Sequence, residues 1–190
     1  MTPSDRTVSA EMDAWLHDRG AIFLRRLGIR EGHRVLDFGC GPGAYTVPLA
    51  HVVGPQGRVL AFDRSAPQLE ELERRIAGSP VRDRIDVVRT EGSLSLDKIE
   101  DESLDAALVF DVLQHVHDWR LLISNLHRSL APGGLLLVNP SRLSHPGRVD
   151  LERLESILAE EAFTLVRTVR ERVAHYDRLR EEEILVRRRS

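Results

Sequence analysis

Short apolar runs alternate with amphipathic stretches along almost the whole chain, and this alternation constrains the fold more than any single residue. "VLDF" (35–38), "RVLAFD" (58–63), "IDVVRT" (85–90), "LDAALVFD" (104–111) and "LLLVN" (135–139) have the length and aliphatic content of buried strands. Helical spacing follows at 45–53, 66–77 and 119–130, with Asp118 the expected N-cap of the last and Pro132-Gly133-Gly134 its stop. A helix over 151–162 and strands "FTLVRTV" (163–169) and "EILVRRR" (183–189) complete the pattern. Continuously apolar strands, each followed by a helix, predict an α/β fold with a parallel sheet covered on both faces. Ligands of such sheets sit at the carboxyl ends of the strands. In front, "SAEMDAWLHDRGAIFLRRLGI" (9–29) reads as one or two extra helices. No internal repeat or long linker divides the chain, so one domain is expected over residues 1–190, with 1–29 a helical segment ahead of a 30–190 core.

Composition narrows the function classes. A formal charge of −3 gives no global field to draw the chain onto nucleic acid. The single cysteine, Cys40, precludes an intramolecular disulfide and suits a reducing cytoplasm. The N-terminal stretch lacks a basic region followed by an apolar run, and no apolar run reaches bilayer length, so neither a signal peptide nor a membrane span is expected. Of 27 basic residues only Lys98 is lysine, and it lies in the polar stretch "SLDKIEDES", which argues against a P-loop or buried catalytic lysine.

The most informative local stretch is "VLDFGCGPGAYTVPLA" (35–50), where Gly39, Gly41 and Gly43 separate the first strand from the first core helix. Glycines there allow the backbone to approach a ligand closely. The loop lacks the G-K-[ST] ending of a P-loop, and its G-x-G-x-G spacing is one residue short of the dinucleotide fingerprint. Proline is tolerated only in a helix's first turn, so Pro48 puts the helix start near residues 44–45. Asp63, at the end of the second strand, suits a ribose diol, because a carboxylate only accepts hydrogen bonds. These features alone leave nicotinamide and other adenosine cofactors unresolved.

Five segments in order, "VLDFGCGPGAYTVPLA", "VLAFDRS", "RTEGSL", "DESLDAALVFDVLQHV" and "LHRSLAPGGLLLV", resemble the successive motifs of class I S-adenosylmethionine-dependent methyltransferases. The resemblance is detailed over about residues 28–139. It implies a Rossmann-like, doubly wound, mostly parallel seven-stranded sheet with an antiparallel strand near the C-terminus. It further implies S-adenosylmethionine as cofactor, S-adenosylhomocysteine as product and methyl transfer by in-line displacement. Carried over residue by residue, Gly39, Gly41 and Gly43 would line the methionine and ribose part, with Asp37 orienting the loop. Asp63 would hold the ribose hydroxyls. Glu91, where the family usually has aspartate, would accept from the adenine amino group, and Gly92 would offer its N–H. Arg64 replaces an apolar residue and would stack on the adenine. Phe110 and Asp111 would lie near the methionine tail. These carboxylates suit a cationic ligand.

A general base is needed only if the acceptor must lose a proton, and Asp111, His115, His117, Asn139 and His145 are the candidates after strands four and five. Plainer roles stand beside these. Cys40 reads as a small loop residue: its position does not suit cytosine-C5 transfer, and a lone cysteine does not suit thiolate-dependent arsenic methylation. His115 and His117, two apart, diverge on a helix and do not suggest a metal pair. "NPS" (139–141) lacks the second proline of the amino-methylating signature. "LVRRR" reads as a solvated edge strand, not a nucleic-acid patch. Trp15 and His17 are expected to fold over the cofactor as a lid, the later part of 1–29 packing on the core. A small-molecule acceptor is expected. The alternatives are an S-adenosylmethionine-binding regulatory protein without methyl transfer and, less favoured, a nicotinamide-dependent oxidoreductase.

Overall fold

The computed structural model describes residues 10–91, 94, 96–140, 149–175 and 178–190. A helical segment over residues 10–27 leads the chain; its middle is a π-helical turn, Trp15–Arg19, and its end is α1, Gly20–Leu27. The core then runs β1 (Arg34–Phe38), α2 (Thr46–Val53), β2 (Arg58–Asp63), α3 (Ala66–Ile76) and β3 (Ile85–Arg89). It continues through β4 (Leu104–Phe110), α4 (Trp119–Ser129), β5 (Leu130–Asn139), α5 (Leu151–Glu160), β6 (Phe163–His175) and β7 (Arg178–Arg189).

The seven strands form one sheet in the order β3-β2-β1-β4-β5-β7-β6. Strands β1 to β5 pair in parallel, and β7 is antiparallel to both β5 and β6. Strand periodicity divides β1 between the two faces. Val35 joins the apolar layer of the leading helix, α2 and α3, whereas Leu36 and Phe38 join that of α4 and α5. The same alternation turns Asp37 toward the α2 side, beneath the glycine loop. The α4 N-terminus is as expected: Asp118 accepts from the Leu121 N–H at 2.9 Å. No described helix is long and apolar enough to cross a membrane.

Three expectations need correction. First, α4 ends at Ser129, ahead of Pro132-Gly133-Gly134. β5 begins at Leu130, paired with Leu104, and resumes at Leu135 opposite Ala106, so the proline and glycines form an irregularity inside the strand. Second, "LVRRR" belongs to β7, which is interior to the sheet, and β6 is the edge. Arg187 is buried and pairs with Glu155 of α5, while Arg189 meets Glu102 at 2.8 Å. Third, the C-terminal strands are longer than their apolar cores, 13 and 12 residues, and pair from Phe163↔Arg189 to His175↔Arg178. Their polar far halves carry Val173, Ala174, His175, Leu179 and Glu182 into buried positions. Arg26 of α1 reaches Glu171 at 2.7 Å and helps hold that half against the leading helix.

Candidate functional site

The carboxyl ends of β1, β2 and β4 open on a cavity of about 330 Å³. Its floor is the loop after β1. Gly39 and Cys40 donate their backbone N–H to the Phe62 carbonyl at 2.7 and 3.0 Å, which seats the loop on the end of β2. Asp63 fixes it from the side: one carboxylate oxygen accepts from Gly41 N–H and the other from Ser65 N–H, both at 2.8 Å.

The three glycines have different tasks, although all have positive φ. A Cβ on Gly39 would lie 2.1 Å from Val112 Cγ2, and one on Gly43 2.4 Å from Leu72 Cδ1. Both are small because protein packs against them. A Cβ on Gly41 would meet only Gln68 Oε1, at 3.9 Å, so its bare backbone faces open cavity. Gly39 also borders the cavity, but Gly43 does not.

Asp37 lies behind the loop, 3% exposed, and accepts the Thr46 hydroxyl at 2.6 Å. Burial raises its carboxyl to about 6, against the lowering effect of that hydrogen bond. Burial likewise pushes the Cys40 thiol far above its ordinary range, which disfavours a thiolate there.

Aromatic packing ties the far wall together. Phe23, Trp15, Tyr45 and Phe110 are linked in series, with ring centroids 5.5, 5.6 and 4.7 Å apart. Trp15 Nε1 donates to the Ala44 carbonyl at 2.8 Å, and the Tyr45 hydroxyl donates to the Ala174 carbonyl of β6 at 2.7 Å. Trp15, expected over the cofactor, is therefore a core residue behind the loop, 1% exposed. His17 is exposed, its Nδ1 bonded to the Asp13 carbonyl at 2.9 Å. Burial also raises the Tyr45 phenol well above its ordinary value, with Asp111 adding to the effect.

Asp111 follows β4 with φ of 55°, a left-handed conformation that costs a non-glycine residue about 1 kcal/mol. Its Oδ2 lies 2.8 Å from Nδ1 of His175, a residue 4% exposed at the end of β6. Glu182 of β7 is buried nearby; burial raises its carboxyl, and Asp111 raises it further.

Of the residues singled out from sequence, Gly39, Gly41, Asp63, Arg64, Phe110, Asp111 and His115 border the cavity. Asp37 and Gly43 support it from behind. Glu91 is exposed at φ 46°, outside the cavity wall, whereas its neighbour Thr90 lies on it. His117 is exposed and Asn139 is buried, and neither borders the cavity. Gly92 and His145 lie outside the described residues. Sequence reasoning missed Tyr45, Gln68, Val112, Val116 and Ala174 in the wall, and His175 and Glu182 behind it. Tyr45 was within reach, since it directly follows the glycine loop; the hairpin residues carry no motif. Among the described residues, no group of three or more His, Cys, Asp or Glu could hold a metal ion.

Comparison with known proteins places the chain in a family. A family model described as a methyltransferase domain matches residues 36–138, over half of the chain. An uncharacterized 37.1 kDa protein in transposon TN4556 of Streptomyces fradiae is 37% identical over 119 residues, 62% of this chain and 33% of that protein. The demethylmenaquinone methyltransferase of Geobacillus stearothermophilus is 30% identical over 112 residues, 59% of this chain and 47% of its own length. The chain thus spans a third to a half of these relatives. The crystal structure of a SAM-dependent methyltransferase from Aquifex aeolicus superposes with a TM-score of 0.75 at 19% identity, covering all of both chains. The carboxyl-end cavity, the glycine loop with its flanking acid and the match over residues 36–138 lead to one conclusion: this chain belongs to the class I S-adenosylmethionine-dependent methyltransferases.

Proposed function

We propose that the chain transfers the methyl group to a small-molecule acceptor, with the donor held in the cavity above the glycine loop. The observation that carries this assignment is Gly41, whose missing Cβ leaves backbone open to the cavity while its N–H is held by Asp63. The cavity, the left-handed loop and the surrounding carboxylates suit the elongated, cationic S-adenosylmethionine, which supplies a sulfonium-activated methyl group when bound.

The chain's residues divide the work of holding it. Gly39 and Gly41 offer backbone to the methionine and ribose part. Asp63 already accepts two N–H bonds, and a carboxylate has lone pairs left for two ribose hydroxyls. Arg64 and Gln68 flank the adenine side, and Glu91 and Gly92 are assigned to the ring on the family resemblance. Phe110 and Asp111 attend the methionine tail. Asp37 acts through Thr46, fixing the start of α2 and the loop before it. Asp111 and His115 border the cavity and are the candidates to receive an acceptor proton; His145 remains a third. The relative named for demethylmenaquinone makes small molecules the first acceptors to test.

The experiment is methyl transfer from label-bearing S-adenosylmethionine into a small-molecule extract, beside a calorimetric titration with S-adenosylhomocysteine. A labelled small-molecule product and binding together support the proposal. Binding without any transferred label would make the chain a cofactor-binding regulatory protein. Binding of NAD instead would return the oxidoreductase reading.

A further inference from the structure

His175 is not part of the motifs that define the family match, which ends at residue 138, yet it is bonded to Asp111 on the cavity wall. We infer that His175 is a positioning residue for methyl transfer: its imidazole fixes the Asp111 carboxylate at the cavity wall so that Asp111 receives the proton of a protic acceptor, such as a hydroxyl or thiol. This inference rests on the methyl-transfer reading above.

Three observations carry it. Asp111 borders the cavity and His175 does not, so the imidazole can act on a bound acceptor only through the carboxylate. His175 is buried and Asp111 half-buried, with side chains 4% and 17% exposed, and a polar pair taken out of water is a poor source of stability compared with apolar packing. Asp111 also holds a left-handed backbone, φ 55°, at the cavity wall. Buried polar pairs with strained backbone beside a cavity are the mark of a working site.

The hairpin sets the imidazole in place. Val173 and Ala174 are buried just before it, and Tyr45 clamps the Ala174 carbonyl. Among the described residues, the charged and titratable groups that face His175 or its neighbours are Asp111 at the end of β4, Glu182 and Arg180 on β7, Arg178 opposite it in the register and Tyr45 from the loop side. Glu182 is buried on β7; burial raises its carboxyl and Asp111 raises it further, while His175 works against that. Asp111 is the member of this group that borders the cavity.

In the step itself, a lone pair on the acceptor heteroatom forms the new bond to the methyl carbon. The carbon–sulfur bond breaks, its electron pair returning to sulfur, and S-adenosylhomocysteine leaves. The acceptor's proton passes to the Asp111 carboxylate, which stays bonded to His175 Nδ1–H through Oδ2. Charge and atoms balance without a further reactant.

Four proteins test this: the parent, His175→Phe, Asp111→Asn and His175→Asn, whose amide nitrogen takes the place of Nδ1. Labelled-methyl incorporation into the extract should fall about 10²-fold in His175→Phe. In His175→Asn it should recover to within about tenfold of the parent, with an altered pH profile. S-adenosylhomocysteine affinity should stay within about threefold in both. Imidazole NMR supplies a readout that needs no turnover: the parent should show a downfield, exchange-protected Nδ1–H that disappears in Asp111→Asn. Three outcomes would each overturn the inference: full incorporation in His175→Phe, a parallel loss of cofactor affinity, or an Nδ1–H signal indifferent to Asp111→Asn. A parent that binds cofactor but labels nothing would instead defeat the methyl-transfer reading on which the role depends.

Discussion

The buried carboxylate of Asp37 makes a quantitative prediction about folding. In water an aspartate carboxyl titrates at 3.8; here burial lifts it to about 6 despite the Thr46 hydroxyl. The folded chain therefore holds this proton more tightly than the unfolded chain. Stability from this group is intact below the ordinary value and is lost as pH rises through about 6. At pH 8 the ionised Asp37 costs roughly 3 kcal/mol, of which about 1.4 kcal/mol is removed by lowering the pH to 5. Asparagine at the same place cannot ionise, and its amide oxygen can still accept from Thr46. Its buried N–H₂ adds a cost, but one that does not vary with pH, so the pH dependence of the difference carries the prediction. Urea unfolding of parent and Asp37→Asn at pH 5 and pH 8 measures it directly. Between those two pH values the variant should gain about 1.4 kcal/mol relative to the parent, all other titrations cancelling in the comparison. A difference that stays constant within a few tenths of a kcal/mol, or moves the other way, would show that Asp37 is not a strained buried acid.

Other perturbations address the loop and its supports. Asp63→Ala removes the carboxylate that holds Gly41 and Ser65 N–H, and S-adenosylhomocysteine affinity measured by calorimetry should fall about tenfold or more. Gly41→Val places a β-branched side chain at φ 51°, pointing into the cavity, so binding should be lost while the circular dichroism spectrum persists; normal binding would mean the cavity is not the cofactor site. Trp15→Ala deletes a fully buried ring and the donor to the Ala44 carbonyl, which should cost about 3–5 kcal/mol in denaturant unfolding. A loss under 1 kcal/mol in Trp15→Ala, or hydrogen exchange showing residues 12–16 open until cofactor is added, would restore the lid role for that part of the segment.

What could be read from the sequence, and what could not, follows from how far each interaction reaches along the chain. β1, β2 and β4 are apolar on both faces because helices cover both, so each announces itself within a few residues, and their carboxyl ends located the cavity. The glycine loop and Asp63 are equally local, since the loop's bonds run to the end of the neighbouring strand. The different tasks of the glycines were not legible: Gly39 and Gly43 are set by Val112 and Leu72, which only the fold brings near. Trp15 shows the same limit, because a stripe of apolar residues on a helix does not say which surface it meets. The hardest case is the far half of the C-terminal hairpin. "RERVAH" and "RLREEE" have too few apolar residues to read as buried strand, and here the two strands pair with each other beyond Leu185, where the β5–β7 pairing ends. His175 becomes a neighbour of Asp111 across 64 residues, and Ala174 of Tyr45 across 129. Neither pair leaves a periodic trace, since a polar contact constrains two residues and not their surroundings. In the proposed reading, the acceptor side of the cavity is built from such contacts, whereas the cofactor side is built from a contiguous loop. That difference explains why the donor could be read from the chain and the acceptor could not.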